Sequence, residues 1–243
     1  IRIPASCCGL VGLKPTRGRT PMGPDAGEGL NGLGVEFAVT RTVRDSAALL
    51  DAVQGAGVGD PYIITPPRKT YASEILKPPK RLRIALMTRT WAGAAFDPAV
   101  SAGLQDTAKL CAELGHRVKE AAPPLDWEQF VMNSMVYWTA NLPVWIDQIA
   151  AATGRPIDNS TLEATTLACY HHGKSLKATD LLQAMAYANG VTRSTAAFFQ
   201  KYDLLLSPTL PVPPLPLGSL NSNDATLGAE GWTRKVFLFT PMT

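Results

Sequence analysis

Apolar positions recur with helical or strand-like spacing after residue 40 and with neither before it. Val43, Ala47, Leu50 and Val53 fall on one helical face. Thr42 stands ahead of them as a cap with Asp45 three residues on, and Gly55 supplies the stop. From Leu82 to Met87 the chain reads as a short apolar strand. Asp97-Pro98 then opens a helix, with Asp as cap and Pro in the first turn. Val100, Leu104, Ala108 and Cys111 line one face of it, and Gly115 ends it. Residues 116–120 form a second strand. Strand, helix and strand in this order predict a βαβ unit with parallel strands and a right-handed crossover. Residues 127–152 read as a long helical stretch interrupted at Pro143, residues 161–173 as a shorter helix. Another helix spans 178–201, capped by Thr179, with Leu182, Met185, Ala188, Thr192, Ala196 and Phe199 along one side. Residues 202–209 predict a buried strand ended by Pro208. Residues 20–34 and 59–79 are rich in Gly, Pro and polar side chains and read as loops.

The first nineteen residues follow another logic. Ile1-Arg2-Ile3-Pro4-Ala5-Ser6-Cys7-Cys8-Gly9-Leu10-Val11-Gly12-Leu13-Lys14-Pro15-Thr16-Arg17-Gly18-Arg19 places glycines at 9, 12 and 18 among small and apolar residues. Glycine costs chain entropy and is spent where backbones must approach or take positive φ. This run resembles the signature of the amidase signature family, serine amidohydrolases that cleave carboxamides. There a Gly-Gly-Ser leads into Ile-Arg-x-Pro-Ala, then Cys-Gly-x-x-Gly-x-Lys-Pro-Thr-x-Gly-Arg. The match from Ile1 to Arg19 is nearly unbroken. The Thr-Arg-Thr-Val-Arg-Asp-Ser-Ala run at 40–47 and the Tyr202-Asp203 strand running into Ser207-Pro208-Thr209 are similar to the family as well. Pro24-Asp25-Ala26-Gly27-Glu28 and Gly59-Asp60-Pro61-Tyr62 resemble a bacterial subgroup that includes hydrolases of cyclic amide oligomers.

The resemblance implies an α/β fold: a mixed, twisted central sheet with helices on both faces. The βαβ pattern points the same way. It implies that residues 1–243 are the C-terminal part of a single amidase domain, cut at both ends. It also implies a Ser–Ser–Lys triad whose nucleophile immediately precedes Ile1, with the bridging serine and the lysine further upstream. No catalytic residue is therefore expected within the chain, and the chain alone is expected to be inactive. Arg2, Pro4, Gly9 and Gly12 are expected to support the site, Arg2 as a hydrogen-bond hub. Ile3, Tyr137, Trp138 and Asn141 are expected to line the substrate cavity, since such walls are mostly apolar with a few polar groups. Lys14 sits in the Lys-Pro-Thr turn and reads as a structural charge rather than the base. Arg41 and Arg44 read as ion-pair partners of Asp45 or a neighbour.

Composition narrows the rest. The 243 residues are 46% hydrophobic and 18% charged, with a net charge of +3. That is a globular composition, and no basic stripe with interleaved aromatics suggests nucleic-acid binding. Cys7, Cys8, Cys111 and Cys169 form no CxxC pair and read as small buried hydrophobes. His116 reads as structural. His171 and His172 are adjacent, so on a helix they point to different faces and make no metal pair. No cofactor and no metal are expected. No apolar run approaches a membrane span. The expected partner is a small amide substrate, in the cytoplasm, with a homodimer compatible. Two alternatives stand beside hydrolysis: the A subunit of a transfer-RNA-dependent amidotransferase, and a non-catalytic homologue acting as a binding module.

Overall fold

Ile1 and Gly9 bound the first element. The computed structural model describes residues 1–241 and opens with helix α1, Arg2–Cys8. Pro4 lies in its first turn, where a missing N–H leaves no bond unmade. Gly9 ends it in the left-handed conformation, φ 65°. Strand β1, Val11–Gly12, pairs antiparallel with β2, Val39–Thr40. Between them the chain wanders as its composition predicts, with a single 3-10 turn at Leu30–Gly32. Helix α2, Val43–Val53, starts as expected, the Thr42 hydroxyl accepting from the Asp45 N–H at 3.1 Å. It buries Ser46, Ala47 and Leu50, whereas Val43 and Val53 stay exposed. Arg41 and Arg44 make no ion pair among the described residues, against expectation; both side chains stand exposed on the solvent side of the helix start. The 59–79 loop contains one short helix, α3, Tyr71–Glu74, whose first N–H groups donate to the Asp51 carboxylate. These elements form one compact unit, residues 1–81.

The second unit runs from Leu82. Strand β3, Arg83–Leu86, is followed by helix α4, Pro98–Glu113, and strand β4, Arg117–Glu120. Asp97 caps α4, its carboxylate accepting from the Ala99 N–H at 2.8 Å, and Gly115 turns the chain with φ 90°. β3 and β4 are parallel, Ile84 opposite Val118, so the βαβ reading holds. His116 has the structural role expected of it, its Nδ1 accepting from the Leu82 N–H at 3.2 Å. The sheet order is β4-β3-β5, with β5, Leu204–Leu206, parallel to β3. Contrary to expectation β5 is not fully buried: it is an edge strand, and Leu204 is 49% exposed. Leu86, Met87, Phe96, Leu104 and Ala108 form the core against α4.

Four helices make up the rest. α5, Trp127–Thr153, is capped by Asp126 and ended by Gly154. It runs unbroken through Pro143, where an interruption was expected. Proline cannot bond the carbonyl four residues back. At that place Gly173 of α6, Ala164–Ser175, packs against the Thr139 carbonyl and the Pro143 ring. A close-packed neighbour thus stands where the helix lacks a hydrogen bond of its own. α7, Ala178–Phe199, starts two residues earlier than a Thr179 cap allows, because Asp180 accepts from the Lys177 N–H at 2.8 Å and so fixes Lys177 as the cap. α8, Gly228–Phe239, contains Phe237, which packs on Trp127 and Phe130 of α5. Residues 242 and 243 lie outside the described residues. α5 packs on α6, α7 and α8. No helix among the described residues is long and apolar enough to cross a membrane.

Candidate functional site

The signature run folds as helix, left-handed turn and strand. The Ile1 carbonyl accepts from the Ala5 N–H at 3.2 Å, and the Ala5 carbonyl accepts from Leu10 N–H at 2.9 Å. Ala5 is buried, Ile3 half-buried, and Arg2 and Pro4 exposed. Arg2 makes no hydrogen bond or ion pair among the described residues. The side chain is nonetheless flanked closely enough for desolvation to lower its pKa. Lys14 donates to the Pro15 carbonyl at 2.6 Å, the structural role expected of it. Its pKa is lowered, first by desolvation and then by the positive charges of Arg2 and Arg17.

The three glycines do different work. Gly9 needs only its positive φ: nothing lies within 4 Å of a Cβ built there. At Gly18, φ 73°, an added Cβ would meet the side chains of Tyr62 and Ile64. At Gly12 it would meet the Ala5 Cβ at 2.5 Å and the Ile1 carbonyl oxygen at 2.8 Å. The spacing announced glycines where backbones are placed; which backbone each one meets was not legible.

Beside this run lies a cavity of about 30 Å³, bordered by Arg17, Thr20, Met22, Glu28, Asp60 and Tyr62. That is room for one water, far below the ~300 Å³ at which small-molecule pockets begin. Leu30 and Asn31 both take φ near 50° in the adjoining turn, and the Asn31 Nδ2 atom is buried without a partner.

In the second unit the expected wall residues sit on α5 and face different ways. Tyr137 is interior, Asn141 half-buried with its Nδ2 donating to the Tyr137 carbonyl at 2.9 Å, and Trp138 is 53% exposed. Trp145 and Ile149 continue the exposed edge of α5. His171 and His172 diverge as expected. His171 lies edge-on to Tyr170, whereas His172 Nδ1 is 2.9 Å from the Thr139 hydroxyl. No group of His, Cys, Asp and Glu among the described residues could hold a metal. Of the cysteines only Cys169 is buried, where desolvation raises its pKa; Cys8 is exposed at the end of a helix too short to cover it.

Comparison with known proteins gives this arrangement its class. The Amidase family model matches residues 1–242, and the chain belongs to that family. It is 33% identical over 246 residues to the Mycobacterium leprae (strain TN) protein named "Putative amidase AmiC", covering all of this chain and 50% of the relative. It is 36% identical over 170 residues to the 6-aminohexanoate-cyclic-dimer hydrolase of Pseudomonas sp. (strain NK87), covering 68% of this chain and 34% of that one. Among solved structures, 6-aminohexanoate cyclic dimer hydrolase complexed with substrate superposes with a TM-score of 0.83 at 27% identity, over 98% of this chain and 53% of the other. The A subunit of glutamyl-tRNA(Gln) amidotransferase from Thermotoga maritima, with 21% identity and a TM-score of 0.57 over 94% of this chain and 50% of the other, shares the fold alone. The chain thus spans half or less of the curated relatives named here.

Proposed function

We propose that the protein containing this chain is an amidase that hydrolyses a small linear or cyclic carboxamide through an acyl-serine intermediate. Membership of the Amidase family over residues 1–242 carries the reading. The double likeness to the cyclic-dimer hydrolase, in sequence and in fold, favours a cyclic or ω-amino-acid amide among the candidates. In this reading residues 1–243 are the C-terminal part of one amidase domain, and the nucleophile is a serine immediately before Ile1. Its oxygen attacks the amide carbon while its proton passes through a bridging serine to a neutral lysine. The C–N bond then breaks, the amine leaves with that proton, and water releases the acid from the ester. Arg2, Pro4, Gly9 and Gly12 hold the backbone behind the nucleophile, and Ile3 borders the substrate. The protein acts in the cytoplasm, alone or as a homodimer, without nucleic acid, membrane or cofactor.

The test is amine release by the full-length protein from 6-aminohexanoate cyclic dimer, linear aliphatic amides and aryl acylamides. Turnover is expected on at least one class, and replacing the serine before Ile1 by alanine is expected to abolish it. The chain of residues 1–243 alone is expected to match a heat-killed control. No turnover on any class, or turnover indifferent to that serine, overturns the reading.

A further inference from the structure

We infer that Gly12 is a positioning residue for the reacting centre: by lacking a side chain it lets β1 press on the first turn of α1 and so fixes the carbonyl of Ile1. The inference rests on the reading just given, in which Ile1 follows the nucleophile. A Cβ at position 12 would stand 2.5 Å from the Ala5 Cβ, 2.8 Å from the Ile1 oxygen and 3.3 Å from the Ile1 carbonyl carbon. Atoms do not pack that closely. Two of the three neighbours are backbone, which cannot rotate aside.

Each side of the contact is held in place. Gly12 is paired with Val39, and Val11 with Thr40, across the β1–β2 ribbon. The Ile1 carbonyl already accepts from the Ala5 N–H, Ala5 is 3% exposed, and its own carbonyl anchors the turn at Leu10. A methyl group at position 12 is therefore relieved by moving the start of α1, and whatever precedes Ile1 moves with it. The neighbouring glycines lack this property. Gly9 has open space at its Cβ position, and Gly18 faces the Tyr62 and Ile64 side chains, not the start of α1. Gly12 is the one of the three that touches the Ile1–Arg2 peptide group, one residue after the proposed nucleophile.

The experiment uses the full-length protein. Misplacing a reacting group by about 1 Å costs about 100-fold in rate, so Gly12→Ala is expected to lower kcat about 100-fold while KM stays within about threefold. Labelling of the serine by a fluorophosphonate probe is expected to slow in parallel. Ala5→Gly removes one side of the contact without a clash and is expected to lower kcat about tenfold by loosening the same placement. Gly115→Ala, at a positive-φ position of the second unit with nothing within 4 Å, controls for lost stability: it is expected to lower Tm and leave kcat unchanged. Wild-type kcat in Gly12→Ala, or an equal kcat loss in Gly115→Ala at matched Tm, overturns the inference. Should Gly12→Ala fail to fold, wild-type kcat in Ala5→Gly overturns it. Replacing the serine before Ile1 by alanine separates the two claims. Turnover surviving that change sinks the amidase reading, whereas turnover abolished there but intact in Gly12→Ala sinks this inference alone.

Discussion

Residues 1–81 and the residues from Leu82 onward are held together by different means. The first unit buries mostly small groups, Ala5, Thr20, Ser46 and Ala47, with Leu50 the one large apolar side chain among them. Its order comes from close backbone approach: Gly12 on Ile1, and Gly34 on the Gly29 backbone at 2.9 Å from an added Cβ. The second unit buries Leu86, Met87, Phe96 and Leu104 on one side, and Val131, Met135 and Tyr137 on α5. There side-chain volume sets the packing. A proposed site that must hold atoms to a fraction of an ångström is thus carried by the unit whose spacing is set by backbone contacts.

The contrast breaks at one place, where the largest effect is expected. Gly173 brings α6 onto α5 as closely as any pair in the first unit. An added Cβ would collide with the Thr139 carbonyl and stand 2.9 Å from the Pro143 ring, neither of which can swing away. Gly173→Ala is expected to cost about 3 kcal/mol, the upper range for overpacking, read as a lower urea midpoint at unchanged m-value. Stability unchanged in this variant would mean that α5 and α6 can separate freely, and the second unit would then be governed by volume throughout.

Leu104 sharpens the contrast in the other direction. It is 6% exposed and packs in the cluster with Leu86, Met87, Phe96 and Ala108. Leu104→Ala removes three carbon atoms from a filled core and is expected to cost about 2.5 kcal/mol in equilibrium unfolding. Smaller is the effect of Thr42→Ala in the first unit. It removes the hydroxyl that accepts from Asp45 N–H, and is expected to cost about 1 kcal/mol in the same measurement.

How far each unit could be read from sequence follows from the same contrast. Asp97-Pro98, Thr42 and Gly115 act through neighbours one to four residues away, so the βαβ unit and the start of α2 were legible. α5 continues through Pro143 beside Gly173, thirty residues on, and no local pattern announces that contact. Arg44 looked paired because Asp45 is its neighbour, but adjacent residues on a helix diverge. In the candidate site the signature run was recognised, yet the partner of each glycine is a matter of which backbone passes by. Trp138 and Tyr137 are adjacent in sequence and opposite in burial, which composition alone does not separate.

The smallest expected effect is electrostatic and lies at the edge of the second unit's sheet. Arg83, first residue of β3, clasps Asp203, the residue before β5, with Nη2 at 2.8 Å and Nε at 3.2 Å from its carboxylate, and its backbone N–H donates to the same group at 2.7 Å. These hydrogen bonds hold the Asp203 carboxyl down at about 2, against an ordinary 3.8. A carboxyl more acidic when folded than when unfolded stabilises the fold above the unfolded value, and that contribution is lost as pH falls through the folded one. Wild type is therefore expected to melt above Asp203→Asn at neutral pH, with the gap closing between pH 3.8 and about 2. The pair is solvent-exposed, so added salt is expected to narrow the gap as well. A gap independent of pH would assign the role of Asp203 to the shape of its backbone contact. The edge of the second unit would then be held as Gly12 holds the first, by where the chain runs and not by what its side chains carry.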